Sequence, residues 1–82
     1  MSNKKIKTLG ELLKSRREEL REEAHVKLKS RFSLRGMSKA TGLGHVYLYN
    51  LETGRRLNPS IQVIKKLSIA YKIPFEAFER FS

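Results

Sequence analysis

Apolar residues recur at spacings of three and four along most of the chain, which is the pattern of amphipathic helices. In the centre, Met37 and Ala40 come before a glycine-containing turn, and Leu48 and Leu51 follow it at the same spacing. Both pieces can therefore pack on one shared core. The pattern predicts two short helices joined by a tight turn within residues 33–54.

Further helices are predicted on both sides of this central pair. Thr8 is a candidate N-cap with an acidic residue three positions later, the arrangement of a capping box. Asn58 or Ser60 can cap another helix, with Pro59 suited to a first helical position. A last short helix is expected over residues 75–80. The chain is therefore predicted to be all-α.

The second central helix has an unusual outer face. Val46, Tyr49, Asn50 and Thr53 point away from its buried leucines and carry no charge. A solvated helix face normally holds Lys, Arg or Glu, so this face suggests contact with another molecule. In a basic chain, a DNA groove is the contact that we expect.

Length and composition restrict the class of protein. The 82 residues are enough for one small domain with a modest core. The absence of Cys excludes disulfides and thiolate zinc sites. No apolar run approaches the roughly 20 residues of a membrane span, and no signal peptide is recognisable. We expect a soluble cytoplasmic protein.

The charge is strongly positive, with 18 Lys and Arg against 8 acidic residues, all of them Glu. A net charge of +10 favours a polyanionic partner or an anionic membrane. The largest excess of positive charge, +4, falls in residues 31–56, whereas a membrane-surface helix would carry one long basic stripe. Residues 1–8 are predicted to be a basic arm, acting either as a solubilising tail or as a phosphate contact.

The ordered set of motifs points to a family. The sequence LGE occurs at residues 9–11, a glycine turn lies within 33–54, LYNLETG spans 48–54, NPS spans 58–60 and IPFEAF spans 73–78. Together they resemble the helix-turn-helix of the Cro and lambda-repressor-like (XRE) transcriptional regulators. The resemblance covers most of the chain.

This resemblance implies a compact five-helix lambda-repressor-like DNA-binding domain over residues 9–82, with the helix-turn-helix at 33–54. Such a protein is expected to bind double-stranded DNA sequence-specifically as a homodimer, with helix 44–52 in the major groove. A transcriptional repressor is the expected function.

The site residues are carried over from the family's positions. The candidates for contact with base edges are His45, Val46, Tyr49 and Asn50. Asn50 suits adenine, His45 the guanine acceptors and Val46 a thymine methyl group. The candidates for contact with phosphates are Ser33, Arg35, Lys39, Tyr47, Arg55 and Arg56.

The chain departs from the family pattern between the first helix and Phe32. Residues 20–31 form an insertion rich in helix formers, so we expect the first helix to extend by two or more turns and a loop near residues 29–31. The insertion is either a solvated extension, a DNA-backbone contact or a dimer contact. In addition, Gly36 stands where the family usually has the Glu of a capping box, and Gly44 stands where the family usually has a Ser or Thr cap.

The sequence leaves other functions open. No catalytic constellation, cofactor motif or metal-ligand spacing occurs, so neither an enzyme nor a metal site is expected. Alternatives are a DNA-binding antitoxin, a protein-interaction adaptor that uses the same helix face, and an RNA binder; a toxin or an antirepressor would be a protein partner. One or two of Phe75, Phe78 and Phe81 are expected to complete the core, and those that the small domain leaves unburied are candidates for a dimer interface.

Overall fold

The computed structural model describes residues 6–81. This part of the chain forms four α-helices and two 3₁₀ helices. In chain order they are α1 (Leu9–Glu23), η1 (Val26–Phe32), α2 (Leu34–Thr41), α3 (His45–Thr53), α4 (Ile61–Tyr71) and η2 (Phe75–Phe81). Most of the predicted basic arm, including Lys4 and Lys5, lies outside the described residues.

The start of α1 is the capping box that the sequence predicts. The Thr8 hydroxyl accepts a hydrogen bond from the Glu11 amide at 3.1 Å. The Glu11 carboxylate accepts from the amides of Lys7 at 2.8 Å and Thr8 at 3.2 Å. The bond from the Lys7 amide is the main cause of the lowered pKa of exposed Glu11. These bonds satisfy amide groups that a helix start leaves without partners.

The segment between α1 and α2 differs from the prediction. α1 ends at Glu23, and the predicted loop near residues 29–31 is part of η1. The Lys29 ammonium donates to the backbone carbonyls of Arg21 at 2.6 Å and Glu22 at 3.2 Å. The last carbonyls of an α-helix lack intrahelical partners, so Lys29 caps them and fixes the chain where it turns back. Residues 20–23 of the insertion therefore extend α1 by about one turn, and most of the rest forms a separate 3₁₀ helix.

Gly36 lies where η1 packs against α2. A Cβ atom at this position would overlap the backbone carbonyls of Ser30 and Arg31. Ser33 caps α2 as predicted, because its hydroxyl accepts from the Gly36 amide at 3.1 Å. The glycine that weakens α2 by propensity is thus required by the close approach of η1.

The core lies between the four α-helices and η2. Its buried apolar members are Leu13, Met37, Leu48, Leu51, Leu67, Tyr71, Ile73 and Phe78. The prediction that Ala40 shares the buried side of α2 is wrong, because Ala40 is exposed. Thr41 is buried beside Met37 instead, since a four-residue step stays closer to the same face than a three-residue step.

The turns follow the glycine and serine signals. Gly42 and Gly54, at the ends of α2 and α3, both have left-handed backbone (φ 79° and 83°). Ser60 caps α4, because its hydroxyl accepts from the Val63 amide at 3.2 Å. Pro59 therefore precedes the cap and does not occupy the first helical position.

The three phenylalanines of η2 have different environments. Phe78 is only 4% exposed and belongs to the core, so its assignment to a dimer interface is wrong. The i+3 spacing of a 3₁₀ helix stacks residues on one face, but the domain covers them unequally. Phe75 remains exposed and Phe81 is half-buried.

Candidate DNA interface

The outer face of α3 lies on the surface of the domain. Val46 is 60% exposed and Tyr49 is 44% exposed, with Asn50 half-buried beside them. Gly44 caps the helix start without a side-chain hydrogen bond, and the predicted span of residues 44–52 is shifted by one residue to His45–Thr53. The uncharged face that the sequence predicts is therefore accessible, and the described part of the chain does not cover it.

Two side chains on this face differ in their hydrogen bonding. The Thr53 hydroxyl donates to the Tyr49 carbonyl at 2.9 Å, so its proton is used within α3. Within residues 6–81, no hydrogen bond to the Asn50 side-chain amide is found. The Asn50 amide therefore keeps both its donor and its acceptor for another molecule.

The inner face of α3 holds a buried ion pair. Glu52 is 7% exposed, and its carboxylate accepts two hydrogen bonds from the Arg17 guanidinium, at 2.8 Å and 2.9 Å. The Tyr71 hydroxyl donates to the same carboxylate at 2.8 Å. A further guanidinium nitrogen of Arg17 donates to the Phe32 carbonyl at 3.1 Å. This cluster, Arg17–Glu52–Tyr71, connects α1, α3 and α4 and reaches the residue that precedes the cap of α2.

The protonation states of the cluster suit these hydrogen bonds. The hydrogen bond to Glu52 raises the pKa of Arg17, so the guanidinium stays charged. Burial raises the pKa of Tyr71, which keeps the hydroxyl protonated as a donor. A buried carboxylate with a bidentate arginine and a tyrosine donor is fully satisfied. The cluster thereby fixes how α3 is rotated, and with it which residues face outward.

Sequence analysis missed this cluster. Arg17 has no neighbour in sequence that reveals its role, because Glu52 is 35 positions away. The available signal was Glu52 itself, which lies one residue from Leu51 and four from Leu48 on the buried side of α3. A carboxylate in that position requires a cationic partner.

Basic residues come from the elements on both sides of α3. Arg35 and Lys39 are exposed one turn apart on α2, and Arg55 and Arg56 are exposed directly after α3. Residues 31–56 contain five Lys and Arg but one Glu, and that Glu is neutralised by Arg17. The surface around α3 is therefore positive and has no acidic side chain from this segment.

Tyr47 and Arg56 form a contact that sequence analysis did not predict. The Arg56 guanidinium lies over the Tyr47 ring, 5.2 Å from its centroid. The Arg56 amide also donates to the Asn50 carbonyl at 3.0 Å. The loop after α3 is thus folded back on the helix, which holds Arg56 beside the end of the outer face.

Ser33 and His45 are more constrained than the other candidates. The Ser33 hydroxyl donates to the Ser30 carbonyl at 2.7 Å while it caps α2, so its proton is already engaged. His45 is half-buried as the first residue of α3. No group of three or more His, Asp or Glu among residues 6–81 could hold a metal ion.

The comparison with known families agrees with this geometry. The family model described as helix-turn-helix matches residues 13–78, which is most of the chain. The chain therefore belongs to this family, that of the Cro and lambda-repressor-like XRE regulators, whose members are DNA-binding proteins. Comparison with curated proteins and with solved structures found no match. None of the helices within residues 6–81 has the length and apolar character to cross a membrane.

Proposed function

We propose that this protein is a sequence-specific transcriptional regulator that recognises double-stranded DNA by placing α3 in the major groove. The observation that carries this proposal is the contrast within α3. Its inner face is fixed by Arg17–Glu52–Tyr71, while its outer face is exposed and uncharged. A rigid helix with accessible hydrogen-bonding and apolar side chains is suited to base-edge contacts.

Four residues are assigned to base contacts, and each has a different chemistry. Asn50 can bond both N6 and N7 of adenine, and its free side-chain amide supports this role. Val46 can pack on the methyl group of thymine, and Tyr49 lies one turn further along the same face. His45, at the helix start, can donate to the guanine acceptors. A single bidentate base contact is worth about 1–3 kcal/mol of discrimination.

The basic residues are assigned to the DNA backbone. Arg35, Lys39 and Arg55 are exposed cations, and Arg56 is held against Tyr47 at the end of the outer face. Their contacts with phosphates position the protein and carry no sequence information. Ser33 is assigned here to capping α2, with any phosphate contact made by the backbone amides at this helix start.

We further propose that the protein binds inverted repeats as a homodimer and represses transcription in the cytoplasm. Two half-sites about one helical turn, ~34 Å, apart would then face the same side of the duplex. Phe75 is a candidate for the dimer contact because it is exposed on η2. A dimer bound over a promoter excludes polymerase by occupying its DNA.

The experiment begins with selection of binding sites from a random duplex library by the wild-type protein. Fluorescence anisotropy then compares the selected duplex with a random one for wild type, Asn50→Ala and Arg55→Ala. Asn50→Ala should reduce the preference for the selected duplex by about 5- to 150-fold, the equivalent of one base contact. Arg55→Ala should weaken both duplexes alike and lower the salt slope by about 1.

Thermal unfolding of each variant serves as the control, because Arg55 is exposed and half-buried Asn50 makes no side-chain hydrogen bond within residues 6–81, so their loss should leave the fold intact. If wild type binds selected and random duplexes equally at physiological salt, the proposed sequence-specific function is wrong. If Asn50→Ala keeps the full preference, the assignment of the outer face is wrong.

A further inference from the structure

A second candidate surface lies on the side of α2 that faces away from the turn to α3. It is a groove of about 750 Å³ between η1, α2 and the end of α4. Its apolar floor is formed by Phe32, Met37, Ala40 and Ala70. The volume falls within the range of about 300–1,000 Å³ that is typical of ligand pockets.

The inserted segment creates this groove. η1 supplies one wall, and its close approach to α2 is possible only because Gly36 has no Cβ atom. The opposite wall comes from the end of α4, where the small side chain of Ala70 lines the groove. Without η1, this side of α2 would have no facing wall and therefore no groove.

The rim of the groove carries only positive charge. Arg31, Arg35, Lys39 and Lys72 line it, and all four are exposed. No Glu is among its lining residues. The rim therefore favours a negatively charged occupant and disfavours a second basic surface.

The groove is separate from the outer face of α3. No residue of α3 lines it. Gly36 and Ala40 are one turn apart on the groove side of α2, whereas Ser38 lies on roughly the opposite side of the helix and donates to the Leu43 carbonyl in the turn. The rim nevertheless shares Arg35 and Lys39 with the proposed phosphate contacts, so a partner in the groove and DNA would compete for these two cations.

An apolar floor with a basic rim matches a particular kind of partner. A phosphodiester backbone would satisfy the rim, but it has no apolar group to cover the floor. An amphipathic helix with an apolar stripe and acidic flanks satisfies both, in the way that helices dock into hydrophobic grooves. We propose that this groove binds an acidic amphipathic helix of a partner protein.

The test uses a fluorescein-labelled synthetic peptide of about 14 residues, with Leu at helical i, i+3 and i+4 spacing and Glu on both sides of the stripe. A second peptide has the same composition in scrambled order, so that it keeps the charge but loses the stripe. Fluorescence anisotropy with the 82-residue protein should show tighter binding of the amphipathic peptide. Equal binding of the two peptides would reduce the interaction to attraction between opposite net charges and overturn the proposal.

The variants separate the groove from the rest of the basic surface. Ala40→Glu places a negative charge on the floor at an exposed position, and it should weaken peptide binding about tenfold or more, which corresponds to about 1.4 kcal/mol. Lys72→Glu changes the rim, and Lys66→Glu makes the same charge change on α4 away from the groove. Lys72→Glu should weaken binding more than Lys66→Glu does. Circular dichroism confirms that each variant is folded.

Two results would assign the groove to a different occupant and overturn the proposal. In the first, Ala40→Glu leaves peptide binding unchanged but weakens DNA binding. This result indicates that the groove contacts DNA. In the second, the wild-type protein self-associates and Ala40→Glu abolishes the self-association. This result indicates that the groove binds a second copy of this chain. Because peptide binding is measured without DNA, failure here is distinct from failure of the proposed DNA recognition.

Discussion

The two faces of α3 show how this small domain separates stability from recognition. The inner face buries Leu48 and Leu51 and ties the Glu52 carboxylate to arginine and tyrosine. The outer face makes few contacts with its own chain, and its side chains are accessible. Because one rigid helix carries both faces, substitutions on the inner face should change folding, and substitutions on the outer face should change DNA binding alone.

The largest effect is expected from Glu52→Gln on the inner face. This change leaves the Arg17 guanidinium in a mostly buried position without its carboxylate partner, which costs about 3–5 kcal/mol in comparable buried pairs. For a small domain that is a large part of the total stability. Urea unfolding followed by circular dichroism measures the loss.

The control is Glu19→Gln in the exposed pair Arg16–Glu19, which has a similar distance of 3.1 Å. A solvated pair is worth about 0–1 kcal/mol, so this variant should unfold close to wild type. Equal effects of the two variants would mean that Arg17–Glu52–Tyr71 does not fix α3.

A smaller loss of stability is expected from Gly36→Ala. The added methyl group would overlap the carbonyls of Ser30 and Arg31, and such overpacking costs about 1–3 kcal/mol. By helix propensity alone the same change would stabilise α2 by about 1 kcal/mol. The direction in which the midpoint temperature of thermal unfolding shifts from wild type therefore distinguishes the two expectations. Overlap lowers it, and helix propensity alone raises it.

Gly44→Ser is the matched control, since nothing lies within 4 Å of a Cβ atom at that position. The added hydroxyl can cap α3, so a gain of a few tenths of a kcal/mol is expected. If Gly36→Ala raises the midpoint as much as Gly44→Ser does, then η1 does not pack against α2 as described.

The smallest effect concerns alkaline pH and Tyr71. Burial raises the pKa of Tyr71 above its ordinary value of about 10, so in this range the unfolded chain loses the proton and the folded chain keeps it. The contribution of Tyr71 to the free energy of unfolding is complete below pH ~10. At higher pH that free energy falls by about 1.4 kcal/mol per pH unit. Urea unfolding between about pH 9 and 11 should show a steeper loss for wild type than for Tyr71→Phe. Parallel profiles would place Tyr71 in contact with solvent.

Local signals predicted the central part of the fold. Ser33, Gly42 and Gly54 mark the ends of α2 and α3 at the expected positions, because caps and left-handed turns depend on one or two residues each. The alternation of buried and exposed positions in α3 also followed from helical periodicity. These features require no information about distant parts of the chain.

The parts that were missed depend on pairs far apart in sequence or on a competing contact. Tyr71 reaches Glu52 from 19 positions away, and no local pattern encodes that pairing. Residues 20–31 contain good helix formers, but α1 ends at Glu23, where Lys29 folds back to cap its last carbonyls, and residues 26–32 form a 3₁₀ helix. By helix propensity alone Gly36 destabilises α2. Its requirement became visible only with η1, whose backbone packs too closely to leave room for a Cβ atom.

Tethered cleavage of DNA shows whether the outer face of α3 lies in the major groove. The chain has no Cys, so Thr53→Cys on the outer face and Ile69→Cys on the exposed side of α4 each accept a single iron chelate. Neither substitution removes an assigned base contact. On the selected duplex, the label at position 53 should cut a few adjacent base pairs in each half-site, and the label at position 69 should cut weakly. If the label at position 69 cuts as strongly as the label at position 53, or more strongly, then the outer face of α3 does not lie in the major groove.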